Sequence, residues 1–216
     1  MGAAARAIAN FGFEDLAAVD PYGPVWKEAK SAVGAEGVLA AARALTLDEA
    51  LADRHVVLGT HDGRRRGGPS RVDLPELRAW LSERLPKGGK LAVLFGPEKT
   101  GLANAELSRC HAAVRIPTAA SCPSMNVAQA VAVVAYELSR GAQARPTGTR
   151  APAAMTHEQR EAFVAQAVAL CRKLGYRSGD SDAVIARKFR DLLLRRPLAR
   201  DEAAVLQAVA RRLQEP

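Results

Sequence analysis

The sequence predicts an α/β domain with a mostly parallel sheet, followed by a small all-helical extension. Strand-like and helix-like segments alternate over residues 1–140, whereas residues 156–216 contain helical patterns and no strand-like run. The alternation indicates a parallel sheet, because a parallel connection needs a crossover that is usually a helix. Residues 141–155 are rich in Gly, Pro and Thr without apolar periodicity, so we interpret them as a linker.

Short apolar runs bounded by turn-forming residues predict the strands of the first domain. One run ends on Gly59 and another ends on Gly96, which is followed at once by Pro97. The predicted strands cover residues 16–20, 55–60, 91–95 and 113–116, and residues 39–42 are predicted to form a short strand or a turn.

Start signals and apolar periodicity predict the helices of the same domain. Thr46 followed by Glu49 is a capping-box pattern, and Asp73 is a candidate N-cap with Pro75 early in the next helix. The predicted helices cover residues 2–10, 27–33, 47–52, 74–85, 103–110 and 126–140.

The extension is predicted to consist of three helices. Thr156, with Gln159 three residues later, is another capping pattern and starts the first helix, which stops at Gly175. Ser181 starts the second helix, and the third covers residues 201–213. We therefore expect a domain, a linker and a helical extension in that order along the chain.

Charge and composition limit the class of protein. The net charge of +8 favours a polyanionic partner such as RNA, DNA or an anionic membrane. The cysteines and histidines show no metal-ligand spacing, so we expect reduced thiols and no structural metal. The chain has neither a signal-like N-terminus nor a run of 18 apolar residues, so we expect a cytoplasmic protein that does not enter the membrane.

The loop after the third predicted strand resembles half of a phosphate-binding loop. Gly96 and Gly101 have the spacing of the first two glycines in G-x-x-x-x-G-K-[ST], but Leu102 and Ala103 stand where Lys and Ser or Thr belong. This excludes a P-loop nucleotidase. The ends of three predicted strands should instead meet at one edge of the sheet, where backbone groups would suit an adenine or a ribose.

Two other segments allow a structural and a functional interpretation. Ser124 and Asn126 precede a long apolar helix, where they would serve as an N-cap, as ligand-facing groups, or as both. Three consecutive arginines lie between glycines just after a strand end, where they are either solvated surface or phosphate contacts to RNA. These arginines are Arg64, Arg65 and Arg66.

Three motifs resemble those of the SpoU-type ribose 2′-O-methyltransferases of the SPOUT superfamily, most closely the TrmJ-like branch that methylates tRNA. They are "GAAARAIANFG", "LAVLFGPEKTGL" and "IPTAASCPSMNVAQAVAVVAYE", and the resemblance covers residues 1–140. It implies a parallel sheet with helices on both faces, a C-terminal trefoil knot, a homodimer and the cofactor S-adenosylmethionine without a metal.

The resemblance also implies roles for individual residues. The implied catalytic residues are Arg6, Ser124 and Asn126. The implied cofactor-binding residues are Thr60, His61, Gly96, Ile116, Pro123, Ser124 and Met125. The implied RNA-binding residues are Arg64, Arg65, Arg66 and Glu98. A guanidinium stays protonated in proteins, so we expect Arg6 to position a phosphate and stabilise the developing alkoxide rather than act as a base.

The expected substrate is the tRNA anticodon loop, at the cytidine or uridine of nucleotide thirty-two, with the extension helping to clamp the tRNA. The alternatives are an rRNA 2′-O-methyltransferase and an RNA-binding protein of the same fold with weakened catalysis. The family pattern has a strand and an asparagine upstream of its matching glycine, here Gly2. We expect the first strand and this asparagine to be missing, and a version extended upstream to be more stable and more active.

Overall fold

A computed structural model describes residues 1–21, 27, 31–61, 68–142, 154–195, 198 and 200–214. The strands are β1 (Ala17–Val19), β2 (Arg43–Leu45), β3 (Val56–Thr60), β4 (Ser70–Asp73), β5 (Leu91–Leu94) and β6 (Ala112–Arg115). The helices are α1 (Gly2–Ala9), α2 (Glu36–Ala41), α3 (Leu47–Leu51), α4 (Leu77–Arg84), α5 (Asn104–Leu107), α6 (Val127–Ala142), α7 (His157–Lys173), α8 (Asp182–Arg195) and α9 (Arg200–Gln214).

The centre of the first domain is a four-stranded sheet with the strand order β4-β6-β3-β5. All three pairings are parallel, and β1 and β2 form a separate parallel pair. The predicted parallel α/β architecture is confirmed. Because the strands are parallel, the loops that follow β3, β5 and β6 leave the sheet at the same edge.

Helices cover both faces of this sheet, because adjacent residues of a strand point to opposite sides. Leu58 lies on the face covered by α4 and α6, in one core cluster with Leu77 and Val134. Val57 lies on the other face, in a cluster with Leu51 of α3. The sheet is thus enclosed, as its continuous apolar strands require.

Helix α1 lies against α6 through small residues. Ala4 and Ala7 form a cluster with Val131, and Phe95 and Val127 pack at its margin. Alanine side chains let two helices approach closely, so α1 sits beside the sheet edge at which β5 ends and α6 begins. This contact determines where the motif that contains α1 lies relative to the motif that contains β5 and the motif that contains α6.

Several predicted starts of helices are confirmed by their hydrogen bonds. The Thr46 hydroxyl accepts from the Glu49 amide, and the Glu49 carboxylate accepts from the Thr46 amide, which completes the capping box of α3. Thr156 and Gln159 form the same reciprocal pair at the start of α7. The extension consists of α7, α8 and α9, as its sequence pattern predicts.

Asp73 occupies the predicted N-cap position, before the short 3₁₀ turn Leu74–Glu76 that leads into α4. Its side chain makes no capping hydrogen bond, and its two oxygens accept from Arg115 at 2.7 and 2.6 Å instead. A planar guanidinium matches a carboxylate with two parallel hydrogen bonds, which joins the ends of β4 and β6. The strand β4 itself was not predicted, because Val72 is its one apolar residue and the strand lies at the edge of the sheet.

Two predictions near the N-terminus are wrong. Residues 39–42 do not form a strand or an isolated turn: α2 extends to Ala41 and buries Leu39, and the unpredicted β2 follows it. Strand β2 has the sequence Arg-Ala-Leu, which lacks the apolar alternation of a half-buried strand. Residues 31–33 are not helical, and residues 28–30 of that predicted helix lie outside the described part of the chain.

The extension attaches to the first domain through the beginning of α7. The amides of His157 and Glu158 donate to the carbonyls of Arg54 and Ala52, at 2.8 and 3.1 Å. Two of the orphan amides at this helix start are therefore satisfied by the other domain. Most of the predicted linker, residues 143–153, lies outside the described residues. None of the described helices has both the length and the apolar composition that crossing a membrane requires.

Candidate functional site

The predicted site residues that the structure describes come from distant parts of the sequence and lie at or beside the carboxyl edge of the sheet. Gly59 of β3 is in register with Leu94 of β5 and with Ala113 of β6. The chain then leaves these strands through loops that begin at His61, Phe95 and Ile116. Ligands of parallel α/β sheets bind at this kind of edge.

The first of these loops is fastened to both neighbouring strands. The Thr60 hydroxyl donates to the Leu94 carbonyl at 3.1 Å, and the His61 amide donates to the Val114 carbonyl at 3.0 Å. Both predicted cofactor-binding residues thus lie between β5 and β6. The three arginines Arg64, Arg65 and Arg66, predicted to bind RNA, lie outside the described residues.

The second loop folds back on itself at Gly96. A Cβ atom at this position would lie 2.3 Å from the backbone carbon of Gly101 and the nitrogen of Leu102, far inside van der Waals contact. The Gly101 amide donates to the Pro97 carbonyl at 2.8 Å, and Gly101 has a φ of +63°. The glycine spacing that resembles a phosphate-binding loop is therefore explained by the closure of this turn.

Asn126 connects the second loop to the third. Its side-chain nitrogen donates to Glu98 at 2.9 Å, and its side-chain oxygen accepts from the Ala128 amide at 2.9 Å. The second bond caps α6, so the structural role predicted for Asn126 is confirmed. The capping bond also fixes the orientation of the amide group, because its oxygen faces the helix and its nitrogen faces Glu98.

The third loop is held in shape by local hydrogen bonds. The Thr118 hydroxyl donates to the Pro123 carbonyl at 3.1 Å, and the Cys122 amide donates to the Ala119 carbonyl at 3.0 Å. Ser124 is exposed beside them, whereas Pro123 and Met125 are half-buried. This loop therefore offers a hydroxyl and an apolar side chain at the same edge of the sheet.

Ile116 has a different surrounding from the other predicted cofactor-binding residues. Its half-buried side chain packs against the core cluster that contains Val114. A ligand at the carboxyl edge would therefore meet the backbone of Ile116 rather than its side chain.

Arg6 lies on the exposed side of α1. Its neighbours Ala5 and Ala7 are buried, whereas the Arg6 side chain makes no hydrogen bond or ion pair to any residue in the described part of the chain. Helix α1 contacts Phe95, which precedes Gly96. The guanidinium is thus carried on a helix that borders the second loop, and it is available to an external anion.

Burial keeps the cysteine beneath this edge unreactive. Cys110 lies under Gly59, where an added Cβ would approach its sulfur to 2.9 Å. Burial, and secondarily the charge of Glu106, raise the pKa of the Cys110 thiol to about 12. A thiol with such a pKa is not a nucleophile near neutral pH. No cluster of metal-ligating side chains is found within the described residues.

The sequence does not predict a polar cluster that joins the first domain to the extension. Asp48 accepts from Arg109 at 2.8 Å and lies 3.3 Å from the buried His157. Glu161 accepts a hydrogen bond from Arg190 at 2.7 Å and forms an ion pair with Arg109 at 3.2 Å. Asp48 and His157 alone lie 109 positions apart, and the cluster has no motif spacing, so no local signal identifies these residues.

The parallel sheet and the three loops at its carboxyl edge define an α/β protein with its candidate site at that edge. The family model described as the SpoU rRNA Methylase family matches residues 1–136. The chain belongs to this family, and the resemblance predicted from its three motifs is confirmed.

Named relatives agree with the family. The chain is 40% identical over 152 residues to "tRNA (cytidine/uridine/adenosine-2'-O-)-methyltransferase TrmJ" of Pseudomonas aeruginosa, a match that covers 68% of this chain and 59% of that protein. It is 37% identical over 141 residues to "tRNA (cytidine-2'-O-)-methyltransferase TrmJ" of Methanocaldococcus jannaschii, covering 64% of this chain and 61% of that protein. The chain thus spans about three fifths of the length of these relatives.

The crystal structure of TrmJ from Z. mobilis is similar over nearly the whole chain. The TM-score is 0.82 at 29% sequence identity, and the match covers 99% of this chain and 93% of that one. The similarity therefore includes the helical extension as well as the α/β domain.

Proposed function

We propose that the protein is an S-adenosylmethionine-dependent 2′-O-ribose methyltransferase that acts on tRNA. The observation that carries the proposal is the convergence of the three motif loops at one sheet edge, where Asn126 is hydrogen-bonded to Glu98. The family and the tRNA 2′-O-methyltransferases among its relatives support the reaction and the substrate.

The residues at this edge fit an adenosine-like cofactor. The strand ends provide backbone donors and acceptors, and Met125 and Pro123 provide half-buried apolar surface. The residues that would hold the cofactor are Thr60, His61, Gly96, Ile116, Pro123, Ser124 and Met125. When bound, S-adenosylmethionine supplies an activated methyl group, so the protein contributes mainly alignment.

The chain's own residues would then bind and orient the ribose. A 2′-hydroxyl must lose its proton as it attacks, and the Glu98 carboxylate has one oxygen that the bond to Asn126 does not use. We assign Glu98 to accept a hydrogen bond from this hydroxyl, and Asn126 to hold the carboxylate in place. Arg6 would position a phosphate and stabilise the developing negative charge, because its guanidinium cannot act as a base near neutral pH.

The remaining features concern the RNA and the assembly. We propose the anticodon loop, at nucleotide thirty-two, as the target, with Arg64, Arg65, Arg66 and the extension as further RNA contacts. A tRNA substrate would place the enzyme in the cytoplasm.

The trefoil knot and the homodimer remain proposals from the family resemblance.

Methyl transfer to defined RNAs tests the proposal. Purified protein is incubated with radiolabelled S-adenosylmethionine and either unmodified tRNA or rRNA fragments, and the methylated nucleotide is mapped. The expected result is incorporation into tRNA that Glu98→Gln strongly reduces and that Glu76→Gln, an exposed glutamate outside the site, leaves unchanged. Incorporation into rRNA alone would support the rRNA alternative. No incorporation together with no cofactor binding by calorimetry would contradict methyl transfer and favour an RNA-binding protein.

A further inference from the structure

The loop that joins α7 to α8 presents two large apolar side chains to solvent. This tip loop covers residues 174–181. Leu174 is 64% exposed and Tyr176 is 59% exposed, and neither belongs to the core cluster of the extension around Val164 and Leu193. A single exposed apolar side chain is ordinary in a folded protein. The function of Tyr176 therefore depends on what surrounds it.

The backbone at Tyr176 is held by a regular helix ending. The Gly175 amide donates to the Arg172 carbonyl at 3.2 Å, and the Tyr176 amide donates to the Cys171 carbonyl at 2.9 Å. Gly175 has a φ of +65°, as the residue after the C-cap has in a Schellman motif. An apolar contact from the next residue often completes this motif. Because Tyr176 is 59% exposed, most of its surface lies outside such a contact.

Ion pairs hold the rest of the tip loop in shape. Arg172 donates from Nε to Asp182 at 2.6 Å and from Nη2 to the Asp180 carbonyl at 2.7 Å. The Asp180 carboxylate accepts from Arg177 and, at 3.1 Å, from Lys188. Charged side chains thus connect the end of α7, the loop and the beginning of α8.

The segment around the tip loop has a net positive charge. Residues 172–188 include five basic and two acidic side chains. Both acids are bound by basic residues of the same segment, so the ion pairs fix its shape without removing its excess of positive charge. A positive surface favours a polyanion, and an exposed aromatic ring on that surface favours a base that can stack on it.

Arg177 has a backbone conformation that favours glycine. Its φ is +55°, where a side chain crowds the backbone. The loop has glycines at positions 175 and 179 but an arginine at position 177. The Arg177 side chain bonds to Asp180 and also to the side chain of Tyr176. The loop therefore tolerates strain at a residue that fixes its exposed aromatic side chain, a combination that is common at binding sites.

We propose that the tip loop binds an unpaired nucleotide of the tRNA, with the base stacked on Tyr176 and the phosphates held by the surrounding basic side chains. This inference rests on the proposed function, which supplies the RNA. An unpaired base can offer an open face for stacking, whereas a paired base is covered by its neighbours. A ring that is already fixed loses little freedom on binding. Two apolar side chains are too few for the core of a stable protein interface, so the surface favours RNA over a protein partner.

The tip loop is remote from the attachment of the extension. Helix α7 bonds to the first domain at its first turns, through His157, Arg160 and Glu161. Lys173, at the other end of α7, lies 12 residues beyond Glu161, which is about 18 Å along a helix. Substitutions in the tip loop should therefore leave this attachment intact.

Equilibrium binding of tRNA tests the role of Tyr176. A labelled, unmodified tRNA transcript is titrated with the full chain without S-adenosylmethionine, and fluorescence anisotropy gives the Kd. Tyr176→Ala should raise the Kd on the order of 10-fold, as expected for the loss of one stacked base. Tyr176→Phe keeps the ring and Leu174→Ala truncates the other exposed apolar side chain, so both should bind like the wild type. A wild-type Kd in Tyr176→Ala, or no tRNA binding by the wild type, would overturn the proposal.

Thermal unfolding separates binding from folding. Tyr176→Ala should melt like the wild type, because the side chain is mostly exposed. Tyr176→Leu keeps apolar bulk without an aromatic ring and serves if Tyr176→Ala does not fold, with the same rise in Kd expected. Arg177→Gly removes the backbone strain, so its melting temperature should not fall, while its Kd for tRNA should rise several-fold. A lower melting temperature of Arg177→Gly with an unchanged Kd would contradict the part assigned to Arg177.

Photo-cross-linking identifies the partner of the tip loop. The photoreactive amino acid p-benzoylphenylalanine replaces Tyr176, and the full chain is irradiated with the tRNA transcript. The expected product is a cross-link to a nucleotide that is unpaired in the tRNA. Cross-links to paired nucleotides only, or only to a second copy of the chain, would overturn the proposal.

Methyl transfer distinguishes this contact from the proposed function. Tyr176→Ala should raise the KM for tRNA and leave kcat near the wild-type value, because Tyr176 is not part of the candidate site. If the wild type binds tRNA in a way that depends on Tyr176 but transfers no methyl group, the proposed function is wrong and the tip contact is retained. If the wild type methylates tRNA and Tyr176→Ala changes neither Kd nor KM, the tip contact is wrong and the proposed function is retained.

Discussion

The side-chain nitrogen of Asn126 donates to the Glu98 carboxylate at 2.9 Å, across 28 positions of sequence. This bond ties the loop after β5 to the loop before α6. Because the Asn126 oxygen caps α6 at the same time, one amide group performs a structural and a positioning role. The two roles can be separated by substitution.

Asn126→Asp should separate activity from stability. An aspartate keeps an oxygen for the Ala128 amide, so the helix cap and the melting temperature should stay close to wild type. It loses the donor to Glu98 and sets two carboxylates against each other, so kcat for tRNA methylation should fall on the order of 10²-fold. Asn126→Ala should lose activity and, in addition, about 1 kcal/mol of unfolding free energy. Wild-type activity in Asn126→Asp would contradict the positioning role.

Gly96→Ala should open the second loop. The added Cβ would lie 2.3 Å from backbone atoms of Gly101 and Leu102, which cannot move aside like the end of a flexible side chain. We expect a loss of about 1–3 kcal/mol in the free energy of unfolding by urea, as for other overpacked sites. The matched control is Gly37→Ala: Gly37 lies in α2 with nothing within 4 Å of its Cβ position, so stability should be unchanged or slightly higher.

Arg6→Lys tests the role of the planar guanidinium. Arg6 is exposed and makes no contact with described residues through its charge, so the melting temperature should not change. A lysine keeps the charge but loses the bidentate geometry, so kcat/KM for tRNA should fall on the order of 10-fold. Full activity of the variant would show that a point charge is sufficient.

The buried histidines should make the protein sensitive to mild acid. Burial lowers the pKa of His157 and, more strongly, that of His111, with the charge of Arg160 as a further cause in both. Below the unfolded pKa of about 6.5, the unfolded chain binds protons that the folded chain resists. The contribution of the two neutral histidines to the free energy of unfolding is therefore complete above that pH. It is lost as the pH falls through their lower pKa values in the folded chain.

Urea unfolding between about pH 5 and 8 measures this effect. The free energy of unfolding should be level above about pH 7 and should decrease towards pH 5. His157→Gln should flatten the decrease, because one of the two titrating groups is removed. A free energy of unfolding that rises on acidification over this range would contradict the assignment. The paired aspartates Asp15 and Asp53 do not interfere, because their pKa values are lowered and they titrate only at more acidic pH.

The sequence was sufficient for the elements whose signals are local. The apolar run that contains Val57 and Leu58 predicts β3, and the reciprocal pair of Thr46 and Glu49 predicts the start of α3, because each depends on neighbouring residues only. Strand β4 was missed because its pairing with β6, rather than its own apolar content, holds it in the sheet. The pairing of Asp73 with Arg115 is not predictable in the same way, because the two residues lie 42 positions apart.

The same distinction between local signals and long-range pairings applies to the candidate functional site. The motif residues of the three loops were predictable, since each motif is contiguous in the sequence. The pairing of Glu98 with Asn126 was not predictable, because it depends on how two loops meet in space. The need for glycine at position 96 was not predictable either, because it depends on the turn closing on Gly101 and Leu102, whatever ligand binds nearby.

The start of α7 has a consequence for the order in which the chain folds. Its four leading amides donate to Arg54, Ala52 and, twice, Thr156, so half of them depend on residues made about a hundred positions earlier. The first turn of α7 is therefore incomplete until the segment before β3 has settled. During synthesis the N-terminal domain would act as the template, and the extension would be the last part of the chain to become ordered.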